Sequence, residues 1–227
     1  MPPAVSPPVT DASPQRDDPH ADQPIVTAGA PLSAAEAALV CVHGRGSSAE
    51  TIAAVVEDLV RPGLALLAPQ ADQSTWYPNR FVDPVETNEP RLTSALRAVD
   101  RTLDRAIAAG VARERTVLLG FSQGACVAAD YVARTPARYG GLGVLSGGLV
   151  GEELADDYAG DLDRTPVFLG CSEGDPYIPE ARVHDSAAVF ESMNADVTTR
   201  IYDGDDHLVT DDELARLDTI VDTLFDG

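Results

Sequence analysis

Residues 116–134 read Thr-Val-Leu-Leu-Gly-Phe-Ser-Gln-Gly-Ala-Cys-Val-Ala-Ala-Asp-Tyr-Val-Ala-Arg. Thr116 to Leu119 has the length and aliphatic make-up of a strand buried on both faces. Gln123 to Arg134 reads as a helix, closed by Thr135-Pro136. Gly120-Phe-Ser-Gln-Gly124 joins the two. A glycine-bracketed serine between strand and helix is the context of a nucleophile elbow, where glycines permit a sharp turn and a close helix–strand approach. The plainer reading is an ordinary serine in a glycine-rich corner.

The same alternation extends in both directions. Ile25 to Leu32 reads as a first strand, with Pro31 marking an edge or an end, and Ala38 to Val42 as a short buried strand. A helix follows, in which Ser47 and Glu50 have capping-box spacing and Ile52, Val55, Val56 and Leu59 share a face. Leu64 to Leu67 is strand-like and leads into a long loop holding Trp76 and Tyr77. Asn88 to Ala109 is the longest helical pattern, with Leu92, Leu96, Val99, Leu103 and Ile107 as its stripe and Gly110 as its stop. Strands are expected at 141–145, 166–169 and 197–202, and helices at 179–193 and 211–225. Strand and helix alternating without a repeat predicts an α/β fold, a mostly parallel, doubly wound sheet of six to seven strands with helices on both faces.

In such a sheet, chemistry gathers at the carboxyl ends of the strands. Asp175, in Gly-Cys-Ser-Glu-Gly-Asp-Pro, follows the strand near Gly170; His207, in Asp-Gly-Asp-Asp-His-Leu, follows the one near Tyr202. The order Ser122, Asp175, His207 is the order that elbow chemistry shows. In this reading His207 takes the serine proton, and Asp175 fixes the imidazole tautomer and stabilises the imidazolium. Asp205 and Asp206 adjoin His207 but are poorly placed to face its ring, and Asp161 and Asp163 precede their strand. A tetrahedral oxyanion needs preorganised donors. The backbone N–H of Gln123 is one candidate. The other is that of Arg45, in His-Gly-Arg-Gly-Ser-Ser (43–48) after the strand ending at Val42. That loop is no phosphate cradle, since it lacks Gly-Lys-Ser/Thr and the chain has no Lys.

Composition narrows the class of partner. Acidic residues number 37 against 16 basic, a formal net charge of −21 over 227 residues. This opposes nucleic-acid binding, which needs clustered cations, while the apolar periodicity opposes general disorder. An acidic surface screened by abundant salt, in the cytoplasm of a halophile, fits the charge. No run is long and apolar enough for a membrane span. Residues 1–24 hold seven prolines and several aspartates and read as a disordered tail rather than a signal peptide, leaving 25–227 as one domain. Cys41, Cys126 and Cys171 read as small buried hydrophobes in a reducing compartment. Cys41 and His43 share a strand face without further ligand spacing, so no metal is expected.

Taken together, His43-Gly-Arg-Gly-Ser-Ser48, Ala68-Pro-Gln, Thr75-Trp-Tyr-Pro, Asn88-Glu-Pro, Gly120-Phe-Ser-Gln-Gly-Ala and the late Asp175 and His207 resemble the phospholipase/carboxylesterase branch of the α/β-hydrolases. That group includes acyl-protein thioesterase-like enzymes and is similar to dienelactone hydrolases. The resemblance covers roughly residues 25–225. It implies a cofactor-free serine esterase without a large cap domain, acting on a small-molecule ester, with the site residues placed as above. His43, Gly44, Trp76 and Tyr77 are candidate pocket residues, although loop packing would equally explain the two aromatics. The Arg45 side chain is either solvated or an attractor for an anionic group, which would favour lactone opening over ester or thioester cleavage. A non-catalytic binding protein on the same scaffold is the alternative from another class. Monomer and homodimer both stay open.

Overall fold

The structure is a computed structural model, and it describes residues 18–154 and 158–226. Seven strands form one sheet: β1 (Ile25–Gly29), β2 (Ala37–Val42), β3 (Leu64–Pro69), β4 (Thr116–Phe121), β5 (Gly141–Leu145), β6 (Pro166–Ser172) and β7 (Asp196–Tyr202). Their spatial order is β1-β3-β2-β4-β5-β6-β7. All neighbours are parallel except β1, which runs antiparallel to β3 along the edge. The helices are α1 (Ala49–Val55), α2 (Arg91–Ala108), α3 (Gln123–Arg134), α4 (Glu180–Ser192) and α5 (Asp211–Asp222). Among the described residues no large cap covers the sheet.

Strand alternation sorts the core into two layers. Val40, Val42, Leu118, Leu142, Val144 and Leu169 point to the face covered by α2, α3 and α4. Leu39, Cys41, Leu66, Val117, Leu119 and Phe168 point to the other, against α1 and α5. Both sides of the central strands are therefore dry, and their sequences are unbroken apolar runs rather than alternating ones.

Several boundaries differ from the sequence reading. β1 stops at Gly29, whose φ is 71° and where a Cβ would lie 2.4 Å from the Leu64 carbonyl oxygen. α1 is capped by Ser48, not Ser47: the Ser48 hydroxyl accepts from the Thr51 N–H. The true capping box lies elsewhere, between Thr210 and Glu213 at the start of α5. α2 begins at Arg91, just past Pro90, and Ile107 at the far end of its stripe is 38% exposed.

The expected tail also divides. Residues 1–17 lie outside the described residues, but 18–20 pack on the domain, with His20 only 2% exposed. Asp18 pairs with Arg101 of α2, and the His20 N–H donates to Ser94 Oγ of the same helix. Proline and aspartate content signals disorder only where no side chain finds a partner, and here a histidine and an aspartate do.

The chain runs from β2 outward to β3, then returns to place β4 on the other side of β2. Loops leaving β2 and β4 therefore diverge, and ligand crevices of parallel sheets form at such a point. Residues 43–47 and Ser122 stand on its two sides.

Candidate active site

Ser122 lies between β4 and α3 with φ 57° and ψ −123°. A non-glycine residue at positive φ stores about 1–3 kcal/mol of strain and persists only where its surroundings hold it there. They do so here by crowding. A Cβ on Gly120 would lie 2.3 Å from the Gly124 oxygen, and one on Gly124 would lie 2.1 Å from the Val42 oxygen. Both glycines thus let α3 press against β4 and β2. The Ser122 N–H donates to the Leu145 carbonyl (2.9 Å), tying the turn to β5. Its hydroxyl makes no helix-capping hydrogen bond and stays available for other use.

Its partner is the ring beside it. His207 Nε2 lies 2.8 Å from Ser122 Oγ, and His207 Nδ1 lies 2.7 Å from Asp175 Oδ2. The Asp175 side chain is fully buried. Burial alone pushes its carboxyl up, but the hydrogen bonds and charge of His207, together with the Tyr177 and Ile178 N–H groups, outweigh this and hold it below the usual range. An ionised Asp175 makes Nδ1 the donor and leaves Nε2 of the neutral ring as an acceptor for the Ser122 O–H. Phe121 and Tyr177 flank the imidazole, each with its ring centre 4.9 Å away. No other carboxylate among the described residues lies within ion-pair distance of His207; Asp206 instead offers its backbone carbonyl to Ser172 Oγ. That bond, with Gly174 N–H to Gly204 O, holds the β6 and β7 loops in register.

The 43–47 loop closes the other side. A Cβ on Gly44 would sit 3.4 Å from Ser122 Cβ, so the loop passes directly against the elbow. Among the described residues no protein acceptor takes the backbone N–H of Arg45 or that of Gln123. Both loops are tied to residues 71–79. Gln123 Oε1 accepts from the Trp76 N–H, and Gln123 Nε2 donates to the Tyr77 carbonyl. The Trp76 indole donates to the His43 carbonyl, and the Gly46 N–H to the Ser74 carbonyl.

Two clefts meet at Ser122, His207 and Arg45. One, of about 370 Å³, is apolar and lined by Ile52, Val55, Phe121, Leu208 and Val209. The other, of about 600 Å³, runs past Tyr77, Asn79, Arg80, Asp83 and Tyr177. Of the four candidate pocket residues, Gly44 and Tyr77 line a cleft. Trp76 and His43 do not: both are fully buried, and their polar atoms serve the loop. The Arg45 guanidinium donates to the carbonyls of Tyr77, Pro78 and Asn79, at 2.9, 2.8 and 2.7 Å. It clamps the loop while the residue itself lines both clefts. Leu208, Val209 and Tyr177 were readable only as neighbours of His207 and Asp175. Ile52 and Val55 gave a signal as helix-stripe residues, which normally means core.

A profile of the phospholipase/carboxylesterase family matches residues 24–225. The chain belongs to that family. A phospholipase/carboxylesterase from Dyadobacter fermentans has the same fold at a TM-score of 0.84 and 38% identity, covering 90% of this chain and 97% of its own. Bacillus cereus carboxylesterase shares the fold at a TM-score of 0.69 and 18% identity, covering 91% of this chain and 97% of its own. Acyl-protein thioesterase 1 of Kluyveromyces lactis is 31% identical over 131 residues, 56% of this chain and 57% of that protein. The chain thus spans little more than half the length of the thioesterase relatives it matches.

Proposed function

We propose that this family member is a serine hydrolase that cleaves carboxylic esters or thioesters through a Ser122 acyl-enzyme. The observation that carries the reading is the continuous hydrogen-bonded line from Ser122 Oγ through the His207 imidazole to the buried Asp175 carboxylate. Ser122 Oγ attacks the substrate carbonyl carbon while His207 Nε2 takes the hydroxyl proton. The carbonyl oxygen becomes an oxyanion, and the backbone N–H groups of Arg45 and Gln123 receive it; one such donor is worth about 10²–10³ in rate. Asp175, kept ionised by its hydrogen bonds, holds the Nδ1 proton and stabilises the imidazolium. His207 then protonates the departing alkoxide or thiolate. Water repeats the sequence in reverse on the acyl-enzyme, with His207 as base, and releases the acid.

The two clefts divide the substrate at the scissile carbonyl, one taking the acyl group and the other the leaving group. Neither is enclosed by a cap among the described residues, which fits small to medium esters in free solution. Reaction with a fluorophosphonate followed by peptide mapping tests the assignment. Label is expected on Ser122, and a burst of leaving group from a chromogenic short-chain ester should match the enzyme concentration. Label elsewhere, or no label and no burst, overturns the reading.

A further inference from the structure

Loop 71–79 bonds to both segments that would receive the oxyanion, through the Gln123 side chain, the His43 carbonyl and the Gly46 N–H. One of its supports comes from the far N-terminal side of the chain. His20 places both ring nitrogens in the loop: Asp72 N–H donates to Nδ1 at 3.0 Å, and Nε2 meets the Trp76 carbonyl at 2.9 Å. A nitrogen that accepts from an amide carries no proton, so the proton is on Nε2 and is donated to Trp76. Only the neutral imidazole makes both bonds. Burial holds its pKa below the ordinary histidine value, Arg91 adding to this while the Trp76 carbonyl, Asp72 and Asp18 act against it.

His43 makes the matching bridge from the β2 end. Ala71 N–H donates to its Nε2 at 3.0 Å, and its Nδ1 donates to the Gly44 carbonyl at 2.8 Å. Trp76 lies between the two imidazoles, with ring centres 5.3 Å from His20 and 5.0 Å from His43. From Trp76 the connections pass outward to the site: its amide to the Gln123 side chain and its indole to the His43 carbonyl, one residue before Gly44. His20 itself is anchored to α2, its carbonyl accepting from Arg101 and its N–H donating to Ser94.

We propose that His20 is a positioning residue for the Ser122 chemistry, acting through Trp76 on the amides of Gln123 and Arg45. The inference rests on the serine-hydrolase reading above. It makes the segment 18–20 a working part of the site rather than a leader to the domain.

The test compares His20→Ala, His20→Asn and Arg101→Gln with the full-length wild type on a short-chain chromogenic ester. Asn retains an acceptor near the Nδ1 position, and Gln at 101 loosens the segment without emptying the ring's site. His20→Ala is expected to lower kcat about 10- to 100-fold, part of the value of a misaligned oxyanion donor, with KM within twofold. His20→Asn should recover part of that loss, and Arg101→Gln should lower kcat in the same direction. Trp76 is the single tryptophan of the chain, so its emission reports whether the loop environment changed. A His20→Ala protein with altered emission and a lower Tm but wild-type kcat overturns the proposal, because a merely structural support behaves that way. If His20→Ala does not fold, Arg101→Gln decides: altered emission at unchanged kcat overturns it, and reduced kcat at unchanged KM supports it. Fluorophosphonate labelling of the wild type separates the two readings. Labelled wild type with unaffected variants removes only the His20 assignment, whereas unlabelled wild type removes the hydrolase reading beneath it.

Discussion

Adding one methyl group at Gly124 should disable the site while leaving the fold intact. A Cβ there would lie 2.1 Å from the Val42 oxygen, 2.5 Å from the Val42 carbon and 2.5 Å from the His43 oxygen. All three are backbone atoms and cannot rotate away. Carbon–oxygen contacts settle near 3.3 Å, so the start of α3 must part from the end of β2 by about 1 Å. Overpacking of this kind costs about 1–3 kcal/mol of stability. Its effect on rate is larger in proportion, because the displaced helix carries the Gln123 N–H and the displaced strand end carries Arg45. A misplacement near 1 Å costs about 10²-fold in rate. Gly124→Ala is therefore expected to lower kcat on a short-chain ester about 100-fold, with KM little changed and Tm reduced. Gly110→Ala supplies the control: its φ is +100° with nothing within 4 Å of the new methyl. It should cost about 1–2 kcal/mol through backbone strain alone and leave kcat unchanged. Wild-type kcat in a folded Gly124→Ala, or equal kcat losses in both variants, would refute the argument from crowding.

Asp175 titrates below its ordinary 3.8, so its contribution to stability is complete above about pH 4 and is lost as pH falls through the lower folded value. Asp175→Asn should therefore flatten the acid end of a Tm-against-pH curve; an unchanged slope between pH 4 and 2 counts against it. Burial pushes the Cys126 and Cys171 thiols up to about 12 and raises Cys41 further. Iodoacetamide at pH 8 should leave esterase activity intact, and rapid inactivation would point away from Ser122. With a net charge of −21, raising KCl from low to molar concentration should raise Tm by screening like-charge repulsion; an unmoved midpoint would sever the link between charge and salt.

The sheet and the Ser122–His207–Asp175 line are legible because each rests on a local pattern, an apolar run followed within a few residues by a serine, aspartate or histidine. Strand ends and candidate residues are neighbours in the chain, and their convergence follows from parallel topology. What escaped reading depends on partners far away in sequence. His20 reaches Trp76 across 56 positions, and Gln123 reaches Trp76 across 47. Neither separation leaves a periodicity. Trp76 reads as either a pocket wall or loop packing, and the buried carbonyl that its indole N–H satisfies is what gives the second. Arg45 reads as either solvated or an anion attractor, and the three carbonyls of a distant loop that it meets carry no sequence signal. The cap at Ser48 rather than Ser47 is a choice between adjacent serines, which only the backbone direction settles.

Ser122 occupies the N-cap of α3, the position where serine ordinarily stabilises a helix, yet its side chain makes no capping bond and its backbone sits at φ 57°. At this residue the backbone is held where serine gains neither a capping bond nor an unstrained conformation. Ser122→Gly, which occupies that backbone region without strain, should abolish turnover and raise unfolding stability by about 1 kcal/mol, the relief of strain less the added freedom of the unfolded chain. A Ser122→Gly protein that is more stable yet inactive would show activity favoured over stability at that one residue.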